Sequence, residues 1–294
     1  MKKLPYYGML IAGWAVRGLP VGLLRRVIRA GGIFYYYAFP RKRELVKRNM
    51  RRALGEGAGD RDVARTARTA CQCYAEYWLD IIWLPTMSRQ YVLERFGRDG
   101  EEMLRNTIDE GKGVLIVLPH YGSWEAGAVY LSSLGRFAAV AEVLKPPELF
   151  ELFVKLRAGV GITIFPYDNR PETRDKMVEE LKKGTILALL SDRDLKGTGV
   201  EVEFFGERTT LPPGPAALAL RAGSPIVCVK VRNVNGGWVG HAVGPIRVDP
   251  TADREEEIKK TMQKVAHLLE ELIKGDPSQW HMFMPGWPSD REGN

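Results

Sequence analysis

The strongest constraint on the fold is a series of short apolar runs that alternate with helical segments between residues 113 and 232. The runs are rich in Val, Ile and Leu, are bounded by turn residues, and are too short to be helices. Such runs are typical of parallel strands that are buried on both faces of a sheet. We therefore predict an α/β fold with a mostly parallel central sheet flanked by helices. The six predicted strands are GVLIVL (113–118), FAAVAEV (137–143), GITIFP (161–166), TILALLS (185–191), VEVEFF (200–205) and PIVCVKVR (225–232).

Helical patterns lie between the predicted strands and in the first third of the chain. Before the first strand, helices are predicted at about 43–54, at about 60–84 with Asp60 as the N-cap, and at about 98–110, ending at Gly111. Between strands, the segments WEAGAVYLSSL, PPELFELFVKLRAG and PETRDKMVEELKKG are expected to be helical. Their positions predict helices on both faces of the sheet.

The positive charge of the chain is concentrated at its start. The net charge is +7, yet the first 52 residues carry +12 and the remaining 242 carry −5. Apolar segments interrupted by arginine, such as LPVGLLRRVI, are typical of helices that lie in the interface of an anionic bilayer, or of helices that cover the core of the domain itself. None reaches the roughly 20 apolar residues of a spanning helix.

No linker long enough to separate two domains interrupts the chain. We therefore predict one domain over residues 1–294, with residues 1–55 as basic, amphipathic, membrane-contacting helices within it. Nucleic acid is another ligand for a basic surface, but the arginines are interleaved with Leu, Ile, Phe and Tyr, and no nucleic-acid motif follows. The sequence therefore predicts an anionic membrane surface, and no nucleic acid, as the partner of this segment.

Polar side chains follow two of the predicted strands, at the points where these strands end. Reactive groups of open α/β sheets tend to lie just past the carboxyl ends of the strands. A histidine held by a carboxylate can take a proton from an alcohol at neutral pH. His120 and Glu125 can converge only if the chain turns between them, which Gly122 permits. The candidates are His120, Ser123 and Glu125 in LPHYGSWEAG, and Asp192, Arg193 and Asp194 in SDRD.

Other chemistries have weaker support in the sequence. Ser123 is not in a G-x-S-x-G elbow, because Tyr121 stands where the first glycine should be. The four histidines are scattered, and neither an H-E-x-x-H motif nor a phosphate-binding glycine motif is present. The sequence therefore predicts no metal and no other cofactor. A bystander role for His120, hydrogen-bonded at a strand end, remains the alternative to catalysis.

The segment from His120 to Glu125 resembles the H-x4-D/E signature of glycerolipid-type acyltransferases, and PHYGSWE is similar to its form in the bacterial lipid A lauroyl/myristoyl acyltransferase superfamily. Within that superfamily, the block SDRDLKGTGVEVEFFGERTTLPPGPAALALRAGSPIV resembles the phosphatidylinositol mannoside acyltransferases of actinobacteria, as do AEVLKPPELFELFVKLRAGVGITIFP and QWHMFMPGWP. The resemblance extends over most of the chain. The H-x4-E motif is moderately specific, and the long block is strongly so.

The resemblance implies transfer of a long acyl chain from acyl-CoA, as co-substrate, to a mannose hydroxyl of a phosphatidylinositol mannoside. It implies that His120 is the general base in a direct attack on the thioester, that Glu125 is the acid of the motif, and that Asp192 orients the imidazole, with Asp194 and Glu201 as alternatives to Asp192. The further site residues proposed for substrate binding are Glu142, Lys145, Arg157, Arg193 and Asp194.

Three rival interpretations remain open at the level of the sequence. The acceptor can be lipid A or another glycolipid, the protein can be a lipid-binding protein without catalysis, or Ser123 can serve a hydrolase. We expect a monomer at the cytoplasmic face of the plasma membrane, and three cysteines, too few for a disulfide framework, agree with a reducing compartment. The aromatic tail around Trp280, His281, Phe283 and Trp287 is expected to close the core rather than to anchor at the interface.

Overall fold

A computed structural model describes residues 18–142, 147, 148, 151, 154, 162–167, 170–194 and 197–290 of the chain. The helices of this part are α1 (Val21–Ala38), α2 (Pro40–Leu54), α3 (Asp60–Trp83), α4 (Arg89–Glu94), α5 (Glu101–Asp109), α6 (Trp124–Leu134), α7 (Pro171–Lys182), α8 (Gly214–Ala222) and α9 (Arg254–Lys274), with short 3-10 turns at Leu84–Thr86, Pro277–Gln279 and Pro288–Asp290. No helix within these ranges is long and apolar enough to cross a membrane.

The strands are β1 (Phe96–Asp99), β2 (Val114–Leu118), β3 (Phe137–Ala141), β4 (Ile162–Pro166), β5 (Ile186–Leu190), β6 (Val200–Phe204), β7 (Glu207–Leu211), β8 (Ile226–Val234) and β9 (Gly237–Ile246). Seven of them form one sheet in the order β1-β9-β8-β2-β5-β3-β4, in which only the β8–β9 pair is antiparallel. The prediction of a mostly parallel sheet flanked by helices is therefore confirmed.

The central strand β2 is buried along its whole length, as its continuous apolar sequence requires. Its side chains point alternately to the two faces of the sheet. Val114, Ile116 and Leu118 join one hydrophobic cluster, which includes side chains of α4, α5 and α6. Leu115 and Val117 join the other, which includes side chains of α7, α8 and α9. β2 therefore lies in the middle of the core, with packed side chains on both of its faces.

The prediction that VEVEFF belongs to the central sheet is wrong. This segment is β6, which pairs with β7 in a separate antiparallel hairpin. The physical reason is visible in the sequence, because Glu201 and Glu203 alternate with apolar residues and are exposed, while Val202 and Phe204 are buried. A strand with one charged face suits a hairpin packed on one side better than the middle of a parallel sheet.

Three further expectations need correction. The predicted helix at 98–110 begins only at Glu101, because residues 96–99 form the edge strand β1. Helix α3 has Gly59 rather than Asp60 as its N-cap, and Asp60 pairs with Arg51 instead. The strands β1 and β9 and the hairpin strand β7 have no counterpart among the predicted strands. β1 is only four residues long, β7 is polar, and β9 is interrupted by Gly240, Gly244 and Pro245, so none of the three shows a clear apolar periodicity.

Candidate active site

The register between β2 and β5 brings His120 and Asp192 together. Leu118 pairs with Leu190 at the ends of these parallel strands, and the backbone N–H of Ser191 donates to the Leu118 carbonyl at 2.9 Å. His120 and Asp192 each follow their strand by two residues. Their side chains meet with His120 Nδ1 2.5 Å from Asp192 Oδ1.

Both oxygens of the Asp192 carboxylate have a partner. Oδ1 faces His120, and Oδ2 accepts a hydrogen bond from the indole N–H of Trp280 at 2.8 Å. The Asp192 side chain is fully buried. Burial alone would raise the pKa of Asp192, but the His120 ring, the charge of Arg193 and the Trp280 N–H together hold it well below its usual range. Asp192 is therefore an ionised carboxylate aimed at the imidazole.

The His120 ring contacts the buried Asp192 on one side and is partly exposed. Its side chain is 20% exposed, whereas that of Asp192 is not exposed at all. Since Nδ1 is engaged by Asp192, Nε2 is the nitrogen that can accept a proton from a substrate. Burial and the nearby Arg193 lower the pKa of His120, and the charges of Asp192 and Glu142 oppose this effect. The ring is thus neutral at pH 7, as a general base must be.

The turn at Gly122 redirects the chain from β2 into α6. Gly122 has a φ of +55°, and a Cβ at this position would lie 1.9 Å from the Val231 carbonyl oxygen. Glycine is therefore required both by the backbone conformation and by the close approach to β8. Glu125 follows in the first turn of α6, where it is half-buried. The hydrogen bond at Nδ1 of His120 goes to Asp192 rather than to Glu125.

A segment near the end of the chain, Gln279–His281, packs against the turn that carries His120 and Gly122. The Gly122 N–H donates to the Gln279 carbonyl at 2.9 Å, and the His281 N–H donates to the His120 carbonyl at 2.7 Å. The His281 ring itself is buried and contacts the Gly122 carbonyl through Nε2 at 3.0 Å. The backbone on both sides of the turn is therefore fixed by a segment about 160 residues away in sequence.

Comparison with known proteins identifies the family of the chain. The model of the bacterial lipid A biosynthesis acyltransferase family matches residues 2–289. The chain belongs to this family. Curated relatives include the phosphatidylinositol mannoside acyltransferases of Mycolicibacterium smegmatis and of Mycobacterium tuberculosis strain H37Rv, each 32% identical over 286 residues. These alignments cover 95% of this chain and 90% and 87% of the two relatives.

Membership of this family supports an enzyme that transfers acyl groups. The family match contains every site residue named from the sequence. Of these, Lys145 and Arg157 lie outside the residues that the structure describes. Glu142 is exposed just past the end of β3, and its charge raises the pKa of both His120 and Arg193. It therefore lies within electrostatic reach of the imidazole.

Arg193 and Asp194 follow Asp192 but make different contacts. The Arg193 guanidinium donates to the His281 carbonyl, and burial lowers the pKa of Arg193. Asp194 accepts hydrogen bonds from the Gly199 N–H at 2.6 Å and from the Thr210 hydroxyl at 2.8 Å, which tie it to the β6–β7 hairpin. The contact with His120 that the sequence left open among three acids is made by Asp192.

Two further candidates from the sequence, Glu201 as the acidic partner of His120 and Ser123 as a nucleophile, lie in positions that do not suit these roles. Glu201 is largely exposed on β6 and lies 3.7 Å from Arg208 across the hairpin. Ser123 is fully buried at the start of α6, where its N–H donates to the Val231 carbonyl. A nucleophile must reach its substrate, so this burial argues against a hydrolase that uses Ser123.

The sequence analysis did not predict that Trp280 contacts Asp192. The tail was expected to close the core, and Trp280, His281 and Trp287 are indeed buried, with Phe283 half-buried. Their contacts with Asp192 and with the turn at Gly122 were not foreseen. The available signal was three successive side chains able to form hydrogen bonds, Gln279, Trp280 and His281, but a local pattern does not identify a distant partner.

Proposed function

We propose that this protein transfers a long-chain acyl group from acyl-CoA to a mannose hydroxyl of a phosphatidylinositol mannoside, with His120 as the general base. The observation that carries the proposal is the contact of His120 with the buried carboxylate of Asp192 at the ends of β2 and β5. The named activity of the 32%-identical relatives supports the choice of acceptor.

The reaction follows from the position of the imidazole. Nε2 of His120 takes the proton of the sugar hydroxyl while that oxygen bonds to the thioester carbonyl carbon. The tetrahedral intermediate collapses with cleavage of the carbon–sulfur bond, and the proton on His120 passes to the departing CoA thiolate. The products are the sugar ester and CoA, no acyl-enzyme forms, and His120 returns to its neutral state. Asp192 stabilises the imidazolium during this cycle.

A cation beside the imidazole suits this chemistry. The charge of Arg193 is close enough to lower the pKa of His120. We propose that it also stabilises the negative charge that develops on the thioester oxygen, as fixed positive groups do in acyl transfer. Exposed lysines such as Lys112 are available for the phosphates of CoA, together with Lys145 and Arg157 in the part outside the described residues.

The acceptor is a membrane lipid, so the enzyme must work at a bilayer surface. Leu23, Val27 and Phe34 lie on one face of α1, and their side chains are 50%, 61% and 71% exposed. A second face of the same helix packs against the core through Leu24 and Ile28. A helix that is apolar on both faces is suited to lie between the protein and lipid, at the cytoplasmic side where acyl-CoA is found.

The test is an acyl-transfer assay with the purified full-length protein. Labelled palmitoyl-CoA and vesicles that contain phosphatidylinositol mannoside are expected to give an acylated mannoside, identified by mass spectrometry. His120→Ala is expected to abolish turnover and to leave vesicle binding intact. The matched control is His267→Ala, an exposed histidine on α9 far along the chain from the site.

The alternatives predict different products. A lipid A-type enzyme would acylate a lipid A precursor in parallel reactions and leave the mannoside unchanged. A lipid-binding protein without catalysis would give no acylated product, and its vesicle binding would be the same before and after the His120→Ala substitution. Transfer at the wild-type rate by His120→Ala would show that the assignment of His120 as the base is wrong.

A further inference from the structure

Trp280 occupies a buried position next to Asp192, on the side of the carboxylate away from His120. Its side chain is fully buried. The centroid of its ring lies 5.3 Å from that of Phe205 and 6.3 Å from that of Trp287. An indole N–H in such surroundings needs an acceptor, because an unsatisfied buried donor is costly. The acceptor is the carboxylate oxygen of Asp192 that does not face His120.

The backbone around Trp280 is held as firmly as its ring. Tyr121 and Trp280 form an antiparallel bridge, and the residues on either side of Trp280 hydrogen-bond to Gly122 and His120. Asn49 on α2 donates to the Met282 carbonyl at 2.8 Å and so fixes the segment from the other side. The position of the indole N–H relative to Asp192 is therefore determined by contacts on both of its flanks.

We propose that Trp280 is a positioning residue of the acyl-transfer reaction, whose indole N–H fixes the rotation and the ionised state of Asp192 and thereby orients His120. The inference rests on the proposed function, in which His120 is the base. It assigns to the C-terminal segment a part in catalysis, in addition to its part in closing the core.

The physical argument concerns the second carboxylate oxygen. A carboxylate with one hydrogen bond can rotate about its Cβ–Cγ bond, and the indole N–H removes that freedom. The N–H also favours the ionised form of Asp192. The indole N–H stabilises the state with a neutral His120 more than the state with the imidazolium, because the imidazolium already compensates the charge of Asp192. Without the N–H, His120 therefore binds its proton more tightly. Among the residues that the structure describes, the other charged or titratable groups that act on the pair are Arg193, Glu142 and His281.

The experiment compares Trp280→Phe with Trp287→Phe. Trp287 is a matched control, because it is buried in the same aromatic cluster and also donates its indole N–H, but to the Phe204 carbonyl at 3.1 Å. The titration of His120 is followed by NMR of protein labelled with nitrogen-15 at histidine, assigned with the His120→Ala variant. Trp280→Phe is expected to move this titration up by about half a pH unit, and Trp287→Phe is expected to leave it in place.

A second readout is the double-mutant cycle with Asp192→Asn. Since Trp280 acts through Asp192, Trp280→Phe is expected to lower kcat/KM about tenfold in the wild-type background and to have little effect in the Asp192→Asn background. If Trp280→Phe fails to fold, benzothienylalanine at position 280 keeps the shape of the ring without its N–H. An unchanged titration of His120 in a folded protein that lacks this N–H, or additive effects in the cycle, would overturn the proposal.

The NMR titration does not depend on turnover. A failure of the proposed function would appear as an absence of acyl transfer by the wild-type protein, whatever His120 does in the titration. A failure of the present inference would appear as a wild-type titration in the Trp280→Phe variant, whatever the activity. The two failures are therefore distinguishable.

Discussion

The carboxylate of Asp192 lies 2.5 Å from the imidazole of His120 because both residues follow, at the same interval, two strands that run side by side in register. A shift of one residue in the pairing of β2 with β5 would separate the two side chains by about 3.3 Å along the strands and would reverse their faces. The contact between His120 and Asp192 is therefore a consequence of sheet register.

Asp192→Asn is expected to lower kcat/KM by about 10²- to 10⁴-fold with little loss of folded structure, because the imidazole loses the charge that orients it and stabilises the imidazolium. The measurement is the acyl-transfer rate with circular dichroism as a check of folding. Glu201→Gln is the matched control, since Glu201 lies on the exposed face of the hairpin. Equal losses in the two variants would contradict the assignment of Asp192.

The pH dependence of kcat/KM is expected to show an acid limb below the ordinary histidine value of about 6.5. His120 acts when neutral, and burial and Arg193 lower its pKa, so activity is retained as the pH falls to 6.5 and is lost at lower pH. Asp192 and Glu142 raise that pKa, so Glu142→Gln is expected to move the limb to still lower pH. A limb above 6.5 in the wild-type protein would contradict a lowered pKa of His120.

His281 is expected to make the protein sensitive to acid. Burial lowers the pKa of His281 to about 3, whereas the unfolded chain has the ordinary value. Between these values the unfolded state binds the extra proton, so stability is complete above about pH 6.5 and declines as the pH falls toward 3. At pH 5 the loss from this residue is about 2 kcal/mol.

The measurement is the free energy of unfolding at pH 7 and at pH 5, from urea titrations of the wild-type protein and of His281→Gln. Glutamine retains an N–H donor for the Gly122 carbonyl and does not titrate. The variant is therefore expected to lose less stability between the two pH values than the wild-type protein does. Identical pH dependence in both proteins would show that His281 is not the sensitive group.

Two adjacent glycines of α1 are expected to respond oppositely to alanine. A Cβ on Gly32 would lie 2.5 Å from the Cys71 carbonyl oxygen of α3, whereas a Cβ on Gly31 has no atom within 4 Å. Gly32→Ala is expected to cost about 1–3 kcal/mol of unfolding free energy through overpacking. Gly31→Ala is expected to add up to about 1 kcal/mol, because alanine favours the helix. Thermal melts of the pair test the close crossing of α1 and α3, which equal effects would contradict.

Membrane binding is expected to depend on exposed basic side chains of α1 and of the start of α2. The double variant Arg26→Ala, Lys42→Ala removes two exposed cations and is expected to weaken binding to anionic vesicles by about 2 kcal/mol, or about thirtyfold. Sedimentation with vesicles measures the binding, and high salt should reduce the difference. Lys259→Ala, Lys264→Ala on α9 removes the same charge elsewhere, and an equal loss there would contradict a specific membrane face.

The sequence was sufficient to place most of the central strands and the histidine of the site. GVLIVL and TILALLS are strands in the structure because continuous apolar runs leave few other solutions. The same local reasoning fails for VEVEFF, where the number of apolar residues predicts one more strand of the central sheet. The alternation of Glu with apolar residues, which suits a hairpin with one charged face, is the signal in that segment that agrees with the structure.

The sequence by itself determined that His120 and Asp192 would stand at strand ends, because local periodicity fixes where a strand stops. Only the tertiary structure decided that β2 and β5 are neighbours, that Asp192 rather than Asp194 or Glu201 faces the imidazole, and that Trp280 holds the other carboxylate oxygen. These choices depend on contacts between residues 72 and 88 positions apart. Burial and the need to satisfy every buried polar group bring such distant residues together, and a local sequence pattern does not show which residues will meet.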